Sequence, residues 1–131
     1  MAFTKDEAIV KLKEWAEWLD VNTDTADFAE AIETLVKPVM SERLDFDADK
    51  EIFRLKLASP IVMEKGNREL LEIRELTLDD KRSVQRYKDN EKIDMVEAIY
   101  AKAAGISLAE ASKLKGRDFS VITAINQVFF S

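Results

Sequence analysis

Apolar residues recur at steps of three and four in two stretches of the first 40 positions, which predicts two amphipathic helices. The first follows a capping box of Thr4 and Glu7, in which each side chain reaches the backbone amide of the other residue. The second begins near Thr25, and we expect Pro38 to kink or end it because proline removes a helical hydrogen bond. We expect the acidic and polar stretch 41–50 to be a connector.

The middle of the chain alternates instead. Large apolar side chains occupy every second position over residues 52–58, and this spacing predicts a strand. Pro60 is expected to interrupt that strand, and residues 64–67 have the composition of a turn. The stretch 70–76 is compatible with a returning strand or with a helical turn. The alternation favours a short β-hairpin around 51–76 over helices.

Helix signals are dense in the last third of the chain. Thr77 precedes two aspartates, an arrangement typical of a helix start, and the helix after that is expected to end at Gly105 in a left-handed cap. Ser107 and Glu110 form a second capping box, which predicts a short helix. We expect Asp118 to cap a final helix.

These patterns predict a mainly α fold. Only three glycines and two prolines interrupt the chain, so helices with short connections are favoured. The length of 131 residues suits a single domain. We therefore predict a small helical domain over 1–131, with an N-terminal helical part at 1–48, a second part at 49–131, and the short β-hairpin around 51–76.

Charge and composition narrow the range of functions. The net charge of −6 disfavours binding to nucleic acid, because an acidic surface repels phosphate. The chain has no cysteine, which excludes disulfides and thiolate chemistry. No uninterrupted apolar stretch resembles a signal peptide or a membrane span. We expect a cytosolic protein without a membrane partner.

The sequence shows no catalytic or metal-binding motif. Histidine is absent, which removes the usual general base and the commonest metal ligand. Asp45, Asp47 and Asp49 alternate like the start of an EF-hand calcium loop. However, Lys50 stands where that loop needs glycine, and Lys56 stands where it needs a bidentate glutamate. We predict neither an enzyme nor a cofactor or metal site.

Two aromatic residues are candidate protein-binding residues, Trp18 and Phe130. Trp15 and Trp18 lie three positions apart on the first helix, so either both are in the core or one remains exposed as an anchor for a partner. Phe129 and Phe130 are neighbours, and neighbours on a helix point about 100° apart. We expect one of these two rings to meet another chain or to lie at a frayed end.

A family resemblance appears in residues 51–130. The segment resembles the C-terminal signature of tail assembly chaperones from long-tailed bacteriophages, in which a helix, a Gly-hydrophobic-Ser step, a short helix and an Asp-aromatic helix start follow in order. The residues at these places are Gly105-Ile106-Ser107, Leu114, Asp118-Phe119 and Val128-Phe129-Phe130. The family's central hairpin resembles Phe53-Arg54-Leu55 before Ser59-Pro60, followed by Ile73-Arg74-Glu75-Leu76 before Asp79. The first 48 residues have no counterpart in that signature.

The resemblance implies a non-catalytic role. Such chaperones coat the tape measure protein, keep it from aggregating until the tail tube polymerises, and form homo-oligomers. They act in the host cytoplasm and are absent from the mature virion. The tail tube protein and a longer, frameshifted form of the chaperone itself are further partners that the resemblance suggests. The alternatives are a structural tail or connector component retained in the phage particle, and an adaptor module that binds one globular partner.

Overall fold

The computed structural model describes residues 2–64, 66–84 and 92–130, without the side chains of 81, 83, 84 and 92–97. In this part of the chain, two helices are followed by three strands and then by four more helices. In order they are α1 (Lys5–Trp18), α2 (Ala26–Met40), β1 (Leu44–Asp47), β2 (Ile52–Met63), β3 (Gly66–Ile73), α3 (Leu78–Val84), α4 (Lys92–Ala104), α5 (Leu108–Ala111) and α6 (Gly116–Val128).

The prediction of a mainly α fold is wrong, because helix accounts for 51% and strand for 21% of a mixed α/β domain. The strands form an antiparallel sheet in the order β1-β2-β3. The hairpin expected around 51–76 is present as β2 and β3. The stretch expected to be a connector contains β1, where Leu44 and Phe46 are buried and Asp45 between them is exposed. Aspartate is rare in strands, and its presence obscured this short alternation.

The sheet has one apolar face and one charged face. On the apolar face, Phe53 pairs with Ile73 and Leu55 with Leu71, and all four side chains are buried. On the other face Arg54 lies between Asp45 on β1 and Glu72 on β3. The predicted division between residues 48 and 49 falls in the turn that joins β1 to β2.

The core lies between the apolar face of the sheet and the helices α1, α2 and α6. Phe53 of β2 is at its centre, with the Trp15 ring of α1 at 5.8 Å and the Phe129 ring at 5.0 Å. Phe129 also contacts Phe28 of α2 at 6.2 Å, so the three helices and the sheet share one set of rings. Packing of this kind makes the core depend on residues far apart in sequence.

Both prolines lie inside regular elements, although Pro38 was expected to kink or end its helix and Pro60 to interrupt its strand. Helix α2 continues past Pro38 to Met40, because only the last turn follows the proline and Pro38 and Val39 are buried there. Strand β2 continues through Pro60, but its pairing with β3 shifts register between Lys56 and Ile61. Proline is tolerated at such an irregularity because no ladder hydrogen bond is needed there.

Three of the capping devices predicted from the sequence are present. The Glu7 amide donates to Thr4 Oγ1 at 3.2 Å, and the Thr4 amide donates to Glu7 Oε1 at 2.9 Å. The second box, between Ser107 and Glu110, has both of its reciprocal hydrogen bonds. Gly105 ends α4 with a φ of 67°, the left-handed conformation that glycine adopts without strain.

Asp118 does not have the role that the sequence suggested. Helix α6 has Lys115 as its N-cap, and Asp118 lies in the first turn, fully buried. Its carboxylate accepts hydrogen bonds from the backbone amides of Ala58 at 2.9 Å and Ser59 at 3.1 Å. These amides belong to the part of β2 that is left unpaired by the register shift, so the carboxylate satisfies donors that the sheet does not.

Candidate protein-binding surface

Trp18, at the end of α1, is the most exposed aromatic side chain that the structure describes, with 57% of its surface accessible. The core-facing side of α1 carries Ala8, Leu12 and Trp15, and Trp18 projects to the flank of that side. Its ring stacks on Phe46 of β1, with the centroids 6.1 Å apart and the planes inclined by 29°. Trp15 is buried, so the two tryptophans occupy different environments.

Trp18 is the outer member of a continuous group of rings. Phe46 lies 4.8 Å from Phe53, and Phe53 lies 5.6 Å from Phe130. Phe46 and Phe53 are buried, so the inner side of the indole rests on a packed base. An aromatic side chain held in this way loses little conformational entropy when a partner covers its outer side.

Phe130 lies inside the protein, with only 7% of its surface accessible. The expectation that Phe129 and Phe130 could not both face the core is wrong, since both are buried. The reason is that α6 ends at Val128, and the Phe130 amide returns to the Ile125 carbonyl at 3.3 Å. The angular spacing of a regular helix therefore does not apply to these two rings, and Phe130 offers little surface to a partner.

Val10 adds a second apolar residue to the outer surface of α1, with 56% of its surface accessible. It lies two turns before Trp18, about 80° around the helix from it, with Glu14 between them. Sequence reasoning did not single out Val10. Its signal was available, because it is an apolar residue that falls outside the core stripe of the helix.

The surface around these two side chains is acidic. Glu14 and Glu17 are exposed on the C-terminal half of α1, and Asp20 is exposed two residues after its end. Among the described residues, none of these three carboxylates forms an ion pair. The exposed Lys13 lies next to Glu14 and one turn before Glu17 on the same helix, so the surface is acidic but also carries a cation. We call the surface formed by Val10, Glu14, Glu17, Trp18 and Phe46 the α1 edge.

Asp47, the middle aspartate of the calcium-like stretch, already has hydrogen-bond and ion-pair partners within the chain. Asp47 Oδ1 accepts the backbone amides of Asp49 at 3.0 Å and Lys50 at 3.2 Å, which shapes the turn between β1 and β2. The Lys50 amide and the Arg54 guanidinium, whose Nη1 lies 2.9 Å from Asp47 Oδ2, hold the pKa of this carboxyl below its ordinary value. No group of three or more metal-ligating side chains occurs in the part of the chain that the structure describes.

An open groove of about 820 Å³ separates the tip of the β2–β3 hairpin from α5. Arg68 of β3 crosses it to the Glu110 carboxylate, and Lys113 Nζ donates to the Val62 carbonyl at 3.2 Å. Arg68, together with the amide of Ser107, holds the pKa of Glu110 below its ordinary value. Arg68 and Glu110 therefore pair with each other within the chain and are less available to a partner than the carboxylates of α1.

The residues that carry the family resemblance are connected to one another in space. Arg74 forms two hydrogen bonds to the Asp80 carboxylate, at 2.7 and 3.2 Å, and so ties the end of β3 to the start of α3. Asp118 ties the start of α6 to Ala58 and Ser59 in β2. The hairpin segment and the C-terminal segment are therefore joined through the side chain of Asp118.

Comparison with models of known protein families, with curated proteins and with solved structures found no match. Among the described residues, no helix has both the length and the apolar character needed to cross a membrane.

Proposed function

We propose that this protein is a non-catalytic tail assembly chaperone of a long-tailed bacteriophage. In this role it binds the tape measure protein and keeps it from aggregating until the tail tube polymerises. It self-associates, acts in the host cytoplasm and is left out of the mature virion. The proposal starts from the resemblance over residues 51–130 and from the contacts made by the residues that carry it.

The observation that carries the proposal is the pair of hydrogen bonds from Ala58 and Ser59 to Asp118. In the sequence, Ser59 belongs to the hairpin part of the resemblance and Asp118 to the Asp-Phe start of the last helix, and Ala58 directly precedes Ser59. The aspartate of the Asp-Phe step therefore contributes to tertiary structure as well as standing at a helix start. The contact between these two parts supports treating the motif as one structural unit.

A protein-binding role draws further support from the surface of α1. Large exposed apolar side chains at Val10 and Trp18, beside carboxylates without ion pairs, are features of surfaces that bind other proteins. Trp18 stacks on Phe46, so it is held in place before any partner binds. A chaperone of this class works by such contacts and needs no catalytic group.

The test is co-expression with the tape measure protein of the same phage. We expect most of the tape measure protein to remain in the supernatant when this chain is present and to pellet when an unrelated acidic protein of similar size replaces it. A tape measure protein that pellets equally in both cases would contradict the proposal. Mass spectrometry of purified phage particles separates the alternative, because a structural component stays in the particle and a chaperone does not.

A further inference from the structure

We propose that the α1 edge binds an amphipathic helix of the client in which lysine or arginine residues flank the apolar stripe. The inference rests on the proposed function and adds to it the binding face and the chemistry of the bound segment. The α1 edge lies in the first 48 residues, outside the part of the chain that carries the family resemblance.

Trp18 supplies the central contact of this surface. The inner side of its indole is stacked on Phe46, which itself packs on Phe53, so the ring is supported by the core. The outer side is free, with more than half of the side chain accessible. Tryptophan in such a position is typical of residues that contribute most to a protein interface.

The spacing of the apolar residues suits a helix. Val10 and Trp18 are eight residues apart, which corresponds to about 12 Å along the axis of α1. Apolar side chains seven residues apart on a partner helix lie about 10.5 Å from each other. A partner helix aligned with α1 therefore places two of its apolar side chains near Val10 and Trp18 together.

The charges of the α1 edge determine which helix fits. Glu14 lies between Val10 and Trp18 on the helix surface, and Glu17 lies on the same side of the helix as Val10. Arg54, on the opposite face of the sheet, is paired with Asp47 and Glu72 and does not neutralise these carboxylates. A segment with lysine or arginine beside its apolar stripe gains ion pairs here, whereas an acidic segment is repelled.

The experiment uses fluorescently labelled peptides of about 25 residues, roughly seven helical turns, that tile the tape measure protein. The dissociation constant of each peptide for the full-length chain is measured by fluorescence anisotropy. We expect the tightest peptides to carry lysine or arginine around an apolar stripe, and we expect added salt to weaken them. Trp18→Ala and the double variant Glu14→Lys/Glu17→Lys should each raise the dissociation constant at least about tenfold.

Two matched variants control for general effects. The double variant Glu30→Lys/Glu33→Lys changes the net charge equally, at two exposed glutamates with the same three-residue spacing on α2. Leu108→Ala removes an exposed apolar side chain, 48% accessible, from α5. Both should bind the peptides as the unchanged chain does, and circular dichroism establishes that all variants are folded.

The outcomes separate the inference from the proposed function. If the chain keeps the whole tape measure protein in solution but no peptide binds, or the variants of the α1 edge bind normally, the α1 edge is not the binding face. The same conclusion holds if the tightest peptides are acidic. If co-expression leaves the tape measure protein in the pellet, the proposed function fails and the inference fails with it.

Discussion

The carboxylate of Asp118 and the backbone amide of Ala58 are joined by a 2.9 Å hydrogen bond, although the two residues are 60 positions apart in the chain. The second carboxylate oxygen accepts the Ser59 amide at 3.1 Å, and Arg43 Nη1 approaches the first oxygen to 3.8 Å. Asp118 is fully buried, so water cannot replace these contacts. The carboxylate thereby stabilises both the irregular part of β2 and the first turn of α6.

Replacing Asp118 should therefore destabilise the fold strongly. We expect Asp118→Ala to lower the free energy of unfolding by about 3 kcal/mol, because two backbone amides would be buried without acceptors. Urea denaturation followed by circular dichroism measures the change. Asp79→Ala is the matched control, since the Asp79 side chain is 93% accessible and should matter by less than about 0.5 kcal/mol. Equal effects of the two substitutions would contradict the role assigned to Asp118.

Gly105 and Gly116 should respond differently to alanine. A Cβ atom at either position meets no other atom within 4 Å, but only Gly105 has a left-handed backbone, with φ of 67°. We expect Gly105→Ala to lower the free energy of unfolding by about 1 kcal/mol, through backbone strain alone. Gly116→Ala should be neutral or stabilising, because Gly116 begins α6 and alanine favours helix. Thermal unfolding of both variants tests the difference, and similar losses would contradict it.

The Arg74–Asp80 ion pair should make stability depend on pH at the acidic end. Hydrogen bonds from Arg74, and then from the Thr77 amide, hold the pKa of the Asp80 carboxyl well below its ordinary value of 3.8. Because the folded pKa is the lower one, the contribution is present above about pH 4 and is lost as the pH falls further and Asp80 becomes protonated.

The variant Arg74→Gln isolates this contribution. It should be less stable than the unchanged chain near pH 6, and the difference should shrink towards pH 2. Arg82→Gln is the control, because its contact with Asp79 is long, at 3.9 Å, and exposed. Urea denaturation at both pH values gives the comparison. A difference that stays constant with pH would contradict the role of Asp80.

Phe130 should contribute mainly to the stability of the fold, and Trp18 mainly to the binding of a partner. Phe130→Ala removes a buried ring that contacts Phe53, and we expect a loss of about 3 kcal/mol in the free energy of unfolding. Trp18→Ala removes a half-exposed ring and should cost roughly 1 kcal/mol. Urea denaturation of both variants measures this. If Trp18→Ala were the more destabilising of the two, Trp18 would be a core residue and not a surface for a partner.

Local signals in the sequence predicted the local parts of the fold. The capping box of Thr4 and Glu7 and the left-handed Gly105 depend only on neighbouring residues, and the structure confirms them. The strand β1 was missed because its two buried side chains, Leu44 and Phe46, alternate with aspartates. The presence of Asp47 in a strand is explained by its contacts, because its carboxylate accepts two amides of the following turn and pairs with Arg54 of β2.

The parts that sequence reasoning did not predict depend on distant contacts. Asp118 has the spacing of a helix cap, and only the unpaired amides of Ala58 and Ser59 explain its burial. Helical periodicity left open whether Trp18 is buried or exposed. Its inner side stacks on Phe46, which lies on a strand that was not predicted, and its outer side is exposed. Phe130 lies beyond the regular part of α6, so a helical angle could not predict its direction.

Size-exclusion chromatography with light scattering, applied to this chain co-expressed with the tape measure protein, tests directly whether the two proteins form a complex. We expect one peak that contains both proteins, with a mass above that of either chain alone. Trp18→Ala should abolish that peak, and Leu108→Ala should not. A tape measure protein that elutes by itself, with this chain in a separate peak, would contradict the central claim that this protein is a chaperone for that client.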